Sequence, residues 1–149
     1  MNGTNRILSC LLGVLILIFT GCGDPPLFSL KGKVTLGGEP KDRLIVYFNP
    51  VDRQVDLFNL GVGETDANGN LTLRSSAGNG LAAGKYRVSF MCMVDDSGQS
   101  AGGLEDKNED ANYEVRDLVP APYNDRQQSP VEFDIKRTEN EFHFDIPLN

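Results

Sequence analysis

The sequence is poor in the residues that build metal centres and nucleic-acid interfaces. It contains no Trp, one His and three Cys among 149 residues, and 14 basic side chains stand against 21 acidic ones. A surplus of acidic charge argues against a nucleic-acid partner, because nucleic-acid binders gather Lys and Arg to neutralise phosphates. A chain of this length favours one domain, or one domain with a tail.

The first segment of the chain has the pattern of a secretory signal. Arg6 precedes an apolar run from Ile7 to Phe19. This run is too short to cross about 30 Å of hydrocarbon as a helix, and it has the length of a signal-peptide core. It ends at Phe19-Thr20-Gly21-Cys22. That tetrapeptide resembles the bacterial lipobox, at which the Cys thiol receives a diacylglyceryl group and the chain is cut directly before it.

The resemblance to the lipobox implies a signal peptide over residues 1–21, lipidation at Cys22 and a lipidated linker over residues 22–27. Two or three acyl chains give a lasting anchor without a membrane span. The membrane is therefore an expected partner through Cys22, and the protein is expected to be extracytoplasmic. Gly23 directly after the Cys favours the outer membrane. The alternative is an ordinary signal peptide with an incidental Cys.

The cysteine count leaves one thiol in the folded part of the chain. Cys10 departs with the signal and Cys22 carries the lipid, so Cys92 cannot form an internal disulfide. Cys92 belongs to an alternating apolar set from Tyr86 to Val94, which favours a core residue over a reactive thiol. With so few His and Cys, no site with several such ligands is expected, and we predict neither a metal nor a cofactor.

Alternation of apolar and polar residues predicts an all-β domain over residues 28–149. About seven short strands separated by turn clusters are typical of an antiparallel β-sandwich. Asn68-Gly69 predicts a hairpin with a type I′ turn, in which both central residues have positive φ. The predicted strands lie at about 30–36, 44–48, 62–65, 71–74, 85–94, 131–135 and 142–146.

An acidic segment interrupts this pattern at about residues 95–118. Eight acidic residues lie between Asp95 and Asp117, against Lys107 and Arg116. Low hydrophobicity with high charge does not offset the entropy of ordering, so the segment is predicted to be a mobile loop. Loose binding of Ca²⁺ by this loop is an alternative to a solvated charged loop.

Four pieces of the chain carry a family resemblance. They are Lys31–Thr35 with Gly38-Glu39-Pro40, then Gly63–Leu71, Ala83–Val88, and Val119–Asn124 with the closing Asn140–Leu148. In this order they resemble the carboxypeptidase regulatory-like, or transthyretin-like, β-sandwich domain, and the last piece is similar to the ending of small bacterial lipoproteins that carry this domain alone. The resemblance implies a transthyretin-like or immunoglobulin-like sandwich that serves as a binding or structural module.

Candidate catalytic residues are few. A related fold hosts 5-hydroxyisourate hydrolase, which uses several His residues, an Arg and a C-terminal Tyr-Arg-Gly-Ser, whereas His143 is the only His here. Strand alternation places His143 at a solvent-facing position. Asp66, Asn68 and Asn70 resemble the start of a calcium loop, but a hairpin turn explains them without a metal. No catalytic residue is therefore predicted.

Two tyrosines are the candidate ligand-binding residues. Tyr47 is predicted on the outer face of its strand, and Tyr123 lies in a Pro-rich stretch. Either ring could stack on a sugar or pack as a cover. We therefore expect a non-catalytic, lipid-anchored envelope protein that binds another envelope protein or a glycan. The alternatives are a purely structural surface component and, third, a hydrolase of the transthyretin-like type.

Overall fold

The computed structural model describes residues 23–104 and 114–148. These residues form thirteen β-strands and no helix. The strands are β1 Leu27–Phe28, β2 Leu30–Leu36, β3 Glu39–Pro40, β4 Ile45–Pro50, β5 Gly61–Thr65, β6 Asn70–Ser75, β7 Gly78–Asn79, β8 Leu81–Ala82, β9 Gly84–Met91, β10 Met93–Val94, β11 Arg116–Asp117, β12 Val131–Ile135 and β13 Asn140–Ile146.

One curled sheet organises the domain. Its seven main strands follow the order β12-β9-β4-β5-β6-β2-β13, while β3 pairs with β2 and β7 with β6. The curl brings distant strands face to face: the ring centroid of Phe48 in β4 lies 5.5 Å from that of Phe142 in β13. Phe90 in β9 stacks on Phe144 in β13 at 5.3 Å. The predicted all-β, sandwich-like fold is confirmed, and each of the seven main strands corresponds to a predicted one.

The last strand departs from the antiparallel pattern, because β13 pairs with β2 in parallel from Asn140↔Leu30 to Ile146↔Leu36. Strand β12 ends beside Gly84, at the end of the sandwich where β2 begins. The connection of residues 136–139 is short, so β13 starts at that same end and runs in the same direction as β2. Curling of the sheet places this strand beside β2, at the edge opposite β12.

The two ends of the sandwich carry different connections. The N-terminal end carries β1 and the connections 51–60, 76–83 and 136–139, since Pro50 pairs with Tyr86, Gly61 with Ser75 and Ile135 with Gly84. The opposite end carries the connections 37–44 and 66–69 and the long segment that follows β9. Residue 34 already reaches the opposite end, because the Val34 amide donates to the Gly69 carbonyl at 2.9 Å.

The core is apolar and is filled by alternate residues of both layers. Tyr86, Phe48 and Phe90 are its largest fully buried side chains. Strand β5 presents glycines to this core, because Leu71 and Leu81 occupy the space: a Cβ on Gly63 would lie 2.6 Å from Leu71 Cδ1. Cys92 is also buried, and burial raises the pKa of its thiol. The prediction of Cys92 as a core residue is confirmed.

Tyr86 makes the stability of the domain sensitive to alkaline pH. Its hydroxyl donates to the Ala82 carbonyl at 2.6 Å, and burial raises the pKa of Tyr86 to about 12. The unfolded chain releases this proton near pH 10 while the folded chain keeps it, so stability is expected to fall by about 1.4 kcal/mol per pH unit between pH 10 and 12.

Denaturant unfolding of the wild type and of Tyr86→Phe at several alkaline pH values measures this effect. The variant is expected to lose about 1 kcal/mol at pH 7, from the missing hydrogen bond, and to show a shallower alkaline slope. The two proteins differ only in the hydroxyl group of residue 86, so the difference between their slopes isolates Tyr86. Identical slopes would exclude a buried, protonated Tyr86 as the cause.

The hairpin between β5 and β6 forms as predicted, but its turn is not type I′. Of the two central residues, only Gly69 has positive φ, at 78°. The Asp66 carboxylate accepts hydrogen bonds from the amides of Asn68 and Asn70 at 2.8 and 2.9 Å. This side-chain cap holds the turn in a different conformation, in which Asn68 does not need the left-handed region.

The ends of the acidic segment are folded against the sheet. Met93–Val94 pairs with Arg116–Asp117, and Asp117 accepts hydrogen bonds from the amides of Cys92 and Val119. Residues 105–113 lie outside the described residues, so the mobility of that part stays a prediction. The following Pro-rich stretch covers the free part of the β9 edge, because Phe90 N–H donates to the Tyr123 carbonyl at 3.0 Å.

Candidate functional site

Tyr47 lies on the outer face of central strand β4, half-buried under an arginine. The guanidinium carbon of Arg126 stands 3.7 Å from the centroid of the Tyr47 ring. Arg126 reaches this place from a turn fixed by Asp125, whose carboxylate accepts hydrogen bonds from the amides of Gln127 and Gln128. These bonds lower the pKa of Asp125. Tyr47 therefore does not offer a bare ring on that face; it supports a cation.

A groove of about 390 Å³ runs along the outer face beside this pair. Two arginines, Arg74 and Arg126, line it, and none of the lining residues within 23–104 and 114–148 is acidic. Among residues 23–104 and 114–148, no carboxylate forms an ion pair with either arginine. The lining residues are Tyr47, Leu60, Gly61, Val62, Arg74, Ser75, Ser76, Leu104 and Arg126.

Three buried polar atoms of β4 and β9 have no hydrogen-bond partner among the described residues. They are Asn49 Nδ2, Arg87 Nε and Ser89 Oγ. Ser89 is the ladder partner of Tyr47, and Asn49 that of Arg87, so all three project from the same outer face of β4 and β9. All three atoms can donate, but they have almost no accessible surface and their residues do not line the groove, so they are not part of the site.

The geometry supports recognition of anionic oxygen. A guanidinium held flat on an aromatic ring keeps its N–H groups in one plane, where they can form paired hydrogen bonds to a carboxylate or phosphate. Arg126 lies over the Tyr47 ring, and Arg74 is a second basic residue that lines the groove. Sequence analysis did not single out these arginines. Alternation in β6 places Arg74 outward, but no local pattern connects Arg126 to Tyr47.

Tyr123, the second predicted residue, has a packing role. Its ring lies 6.1 Å from that of Phe144, and it packs against the core cluster. It lines a separate groove between β12 and β13, together with His143. The structure therefore does not bring Tyr123 and Tyr47 into one site, and ligand binding at Tyr123 stays a prediction. His143 is exposed, as its alternation predicts.

The carboxylates of the described part show no metal-binding arrangement. Within residues 23–104 and 114–148, no group of three or more His, Cys, Asp or Glu residues is placed to hold a metal ion. Asp66 is occupied by the hairpin turn, where its second oxygen also accepts from Asn70 Nδ2 at 2.9 Å. These hydrogen bonds lower the pKa of Asp66.

No protein-family model, no curated protein and no solved structure matches this chain. The resemblance to carboxypeptidase regulatory-like domains therefore stays a prediction. In the part of the chain that the structure describes, no helix is both long and apolar enough to span a membrane. Cys22 and the predicted signal peptide lie outside the described residues, so lipidation also stays a prediction.

Proposed function

We propose that this protein is a non-catalytic, lipid-anchored envelope protein whose β-sandwich binds an acidic glycan in the groove beside Tyr47. The observation that carries the proposal is the pair of arginines, Arg74 and Arg126, which line a groove that has no carboxylate among its described lining residues. The chain as a whole has a net charge of −7. Long-range attraction therefore does not draw anions to the molecule, and an anionic ligand is recognised by local hydrogen bonds.

The remaining lining residues suit a sugar. Ser76 is an exposed polar residue of the lining, and Leu60 and Val62 supply apolar contacts. Ser75 is buried, and its Oγ donates to the Gly78 carbonyl at 3.2 Å. Sugar hydroxyls need acceptors as well as donors, while uronate or phosphate groups need the cations.

Binding of a polyuronate, measured by calorimetry, tests the proposal. Arg126→Ala and Arg74→Ala are each expected to weaken the affinity by about tenfold, because each removes a charge-assisted hydrogen-bond donor. Arg137→Ala is the matched control, since it removes the same charge from the exposed connection between β12 and β13. Equal affinity in all four proteins would contradict the assigned groove, and so would equal binding of a neutral glucan.

Tyr47 separates the support of Arg126 from a direct contact with the glycan. Tyr47→Ala removes the ring on which the guanidinium lies and is expected to resemble Arg126→Ala, whereas Tyr47→Phe keeps the ring and is expected to bind like the wild type. A strong loss of affinity in Tyr47→Phe would instead show that the phenol oxygen contacts the glycan. Hydrolysis of the glycan that disappears in His143→Ala would contradict a non-catalytic role.

A further inference from the structure

Exposed apolar side chains are concentrated in the connection between β4 and β5. Six large hydrophobic residues are exposed among the described residues, and four of them lie between residues 51 and 60. Val55 and Leu57 are the most exposed, at 60% and 62%. Single exposed hydrophobic residues are common on protein surfaces, but a cluster in one loop marks an interaction site.

Hydrogen bonds within this loop hold it in a defined conformation. Asn59 is 1% exposed, and its side chain ties the loop together: Oδ1 accepts from the Asp56 amide and Nδ2 donates to the Gln54 carbonyl, each at 2.8 Å. Phe58 N–H in turn donates to Asp56 Oδ1. The side chains of Val55 and Leu57 are therefore held outward by an internally bonded loop.

The loop lies beside the start of the folded chain. Leu57 O accepts from the Ala77 amide at 3.0 Å, and Phe58 O accepts from the Ala82 amide at 2.9 Å. Ala82 is the ladder partner of Leu27 in β1. Only residues 23–26 separate the predicted lipidation site from β1, and the five residue steps from Cys22 to Leu27 span at most about 17 Å. An anchor on Cys22 would therefore hold the N-terminal end, with this loop, close to the headgroups.

Both carboxylates of the loop have partners. Asp52 is paired with Arg53 at 3.0 Å, and the Asp56 carboxylate is bonded to the loop backbone. Exposed carboxylates without an ion pair among the described residues lie at both ends of the sandwich, as with Glu139 at the same end as the loop and Asp66 at the opposite end. The orientation is therefore inferred from the apolar side chains and the position of the anchor.

We infer that the 51–60 loop is a membrane-contact element, which inserts Val55 and Leu57 among the headgroups of the bilayer that holds the Cys22 anchor. The inference rests on the anchor of the proposed function and adds a second, weaker membrane contact made by the folded domain. Insertion of two apolar side chains depends little on salt, unlike adhesion through charge. The contact fixes the orientation of the sandwich on the membrane.

Lipid-quenching fluorescence of the mature, full-length protein tests this inference. The protein is purified from membranes, its acylation is checked by mass spectrometry, and it is reconstituted into phosphatidylcholine vesicles that carry a nitroxide lipid. A fluorophore is attached through Gln54→Cys in the loop or, as the control, through Ala67→Cys in the turn at the opposite end. Cys92 is buried and does not compete for the label. Quenching is expected at position 54 and not at position 67, in low and in high salt.

Val55→Asp with Leu57→Asp tests the insertion itself. In the Gln54→Cys background this double change is expected to lower the quenched fraction by at least about tenfold. Equal quenching at positions 54 and 67 in acylated protein overturns the inference and leaves the anchor intact. A purified protein that carries no acyl chains overturns the anchor. If that protein is also unquenched at position 54, both the anchor and the membrane contact of the loop are overturned. Quenching that disappears in high salt assigns the contact to charge and also overturns the insertion.

Discussion

Replacement of Phe48 by alanine is expected to lower the free energy of unfolding by about 3–5 kcal/mol, the range found when a buried aromatic residue is truncated. Phe48 is fully buried. Its ring lies 6.3 Å from Tyr86, 6.5 Å from Phe133 and 5.5 Å from Phe142. Phe48 thus joins β4 to the strands at both edges of the curled sheet. Its truncation to alanine would leave a cavity bordered by these rings, which cannot move together to fill it.

Urea denaturation followed by tyrosine fluorescence measures this loss. Val51→Ala is a suitable control, because Val51 is 41% exposed just after the same strand, and its change is expected to stay within about 0.5 kcal/mol. A loss below about 1 kcal/mol for Phe48→Ala would mean that the two layers do not meet at this ring, in contradiction to its contacts with Tyr86, Phe133 and Phe142.

Replacement of Asn140 by alanine is expected to cost about 2–4 kcal/mol, because several backbone groups lose their partner at once. Asn140 is buried at the start of β13. Its Oδ1 accepts from the Lys136 amide at 2.8 Å, and its Nδ2 lies 3.2 Å from the Ser29 carbonyl and 3.0 Å from the Thr138 carbonyl. One side chain thus shapes the β12–β13 connection and ties it to the chain just before β2.

Asn140→Asp distinguishes these hydrogen bonds from a simple effect of side-chain size. The aspartate keeps an acceptor for the Lys136 amide but turns an oxygen toward carbonyl groups, so it is expected to be at least as unstable as Asn140→Ala at pH 7. Protonation of the aspartate at low pH should recover part of the difference. Wild-type stability in Asn140→Asp at pH 7 would show that the amide group is not needed.

Strand positions could be predicted from the sequence because they depend on local alternation. Leu30–Leu36 and Asn140–Ile146 are recognisable in this way, since each strand has one face against the core. Their parallel pairing is not predictable from either segment, because it results from the curl of the whole sheet. The type I′ prediction for the turn at Asn68-Gly69 is wrong, since the dipeptide pattern does not contain the cap from Asp66.

The candidate site was predictable only in part. Tyr47 is recognisable because it is an aromatic residue at an outward position of a central strand. Its partner Arg126 follows a long segment without strand periodicity, and only the path of the chain along the β9 edge brings it over the ring. The exposed residues Val55 and Leu57 give no periodic signal, because they belong to a loop held by the buried side chain of Asn59.

Mass spectrometry of the N-terminal peptide of the native protein tests the central claim most directly. A lipid-anchored envelope protein is predicted to begin at Cys22, with a diacylglyceryl group on the thiol and residues 1–21 removed. A native protein that retains those residues, or that is cut elsewhere and carries no fatty acyl group, would contradict the claim.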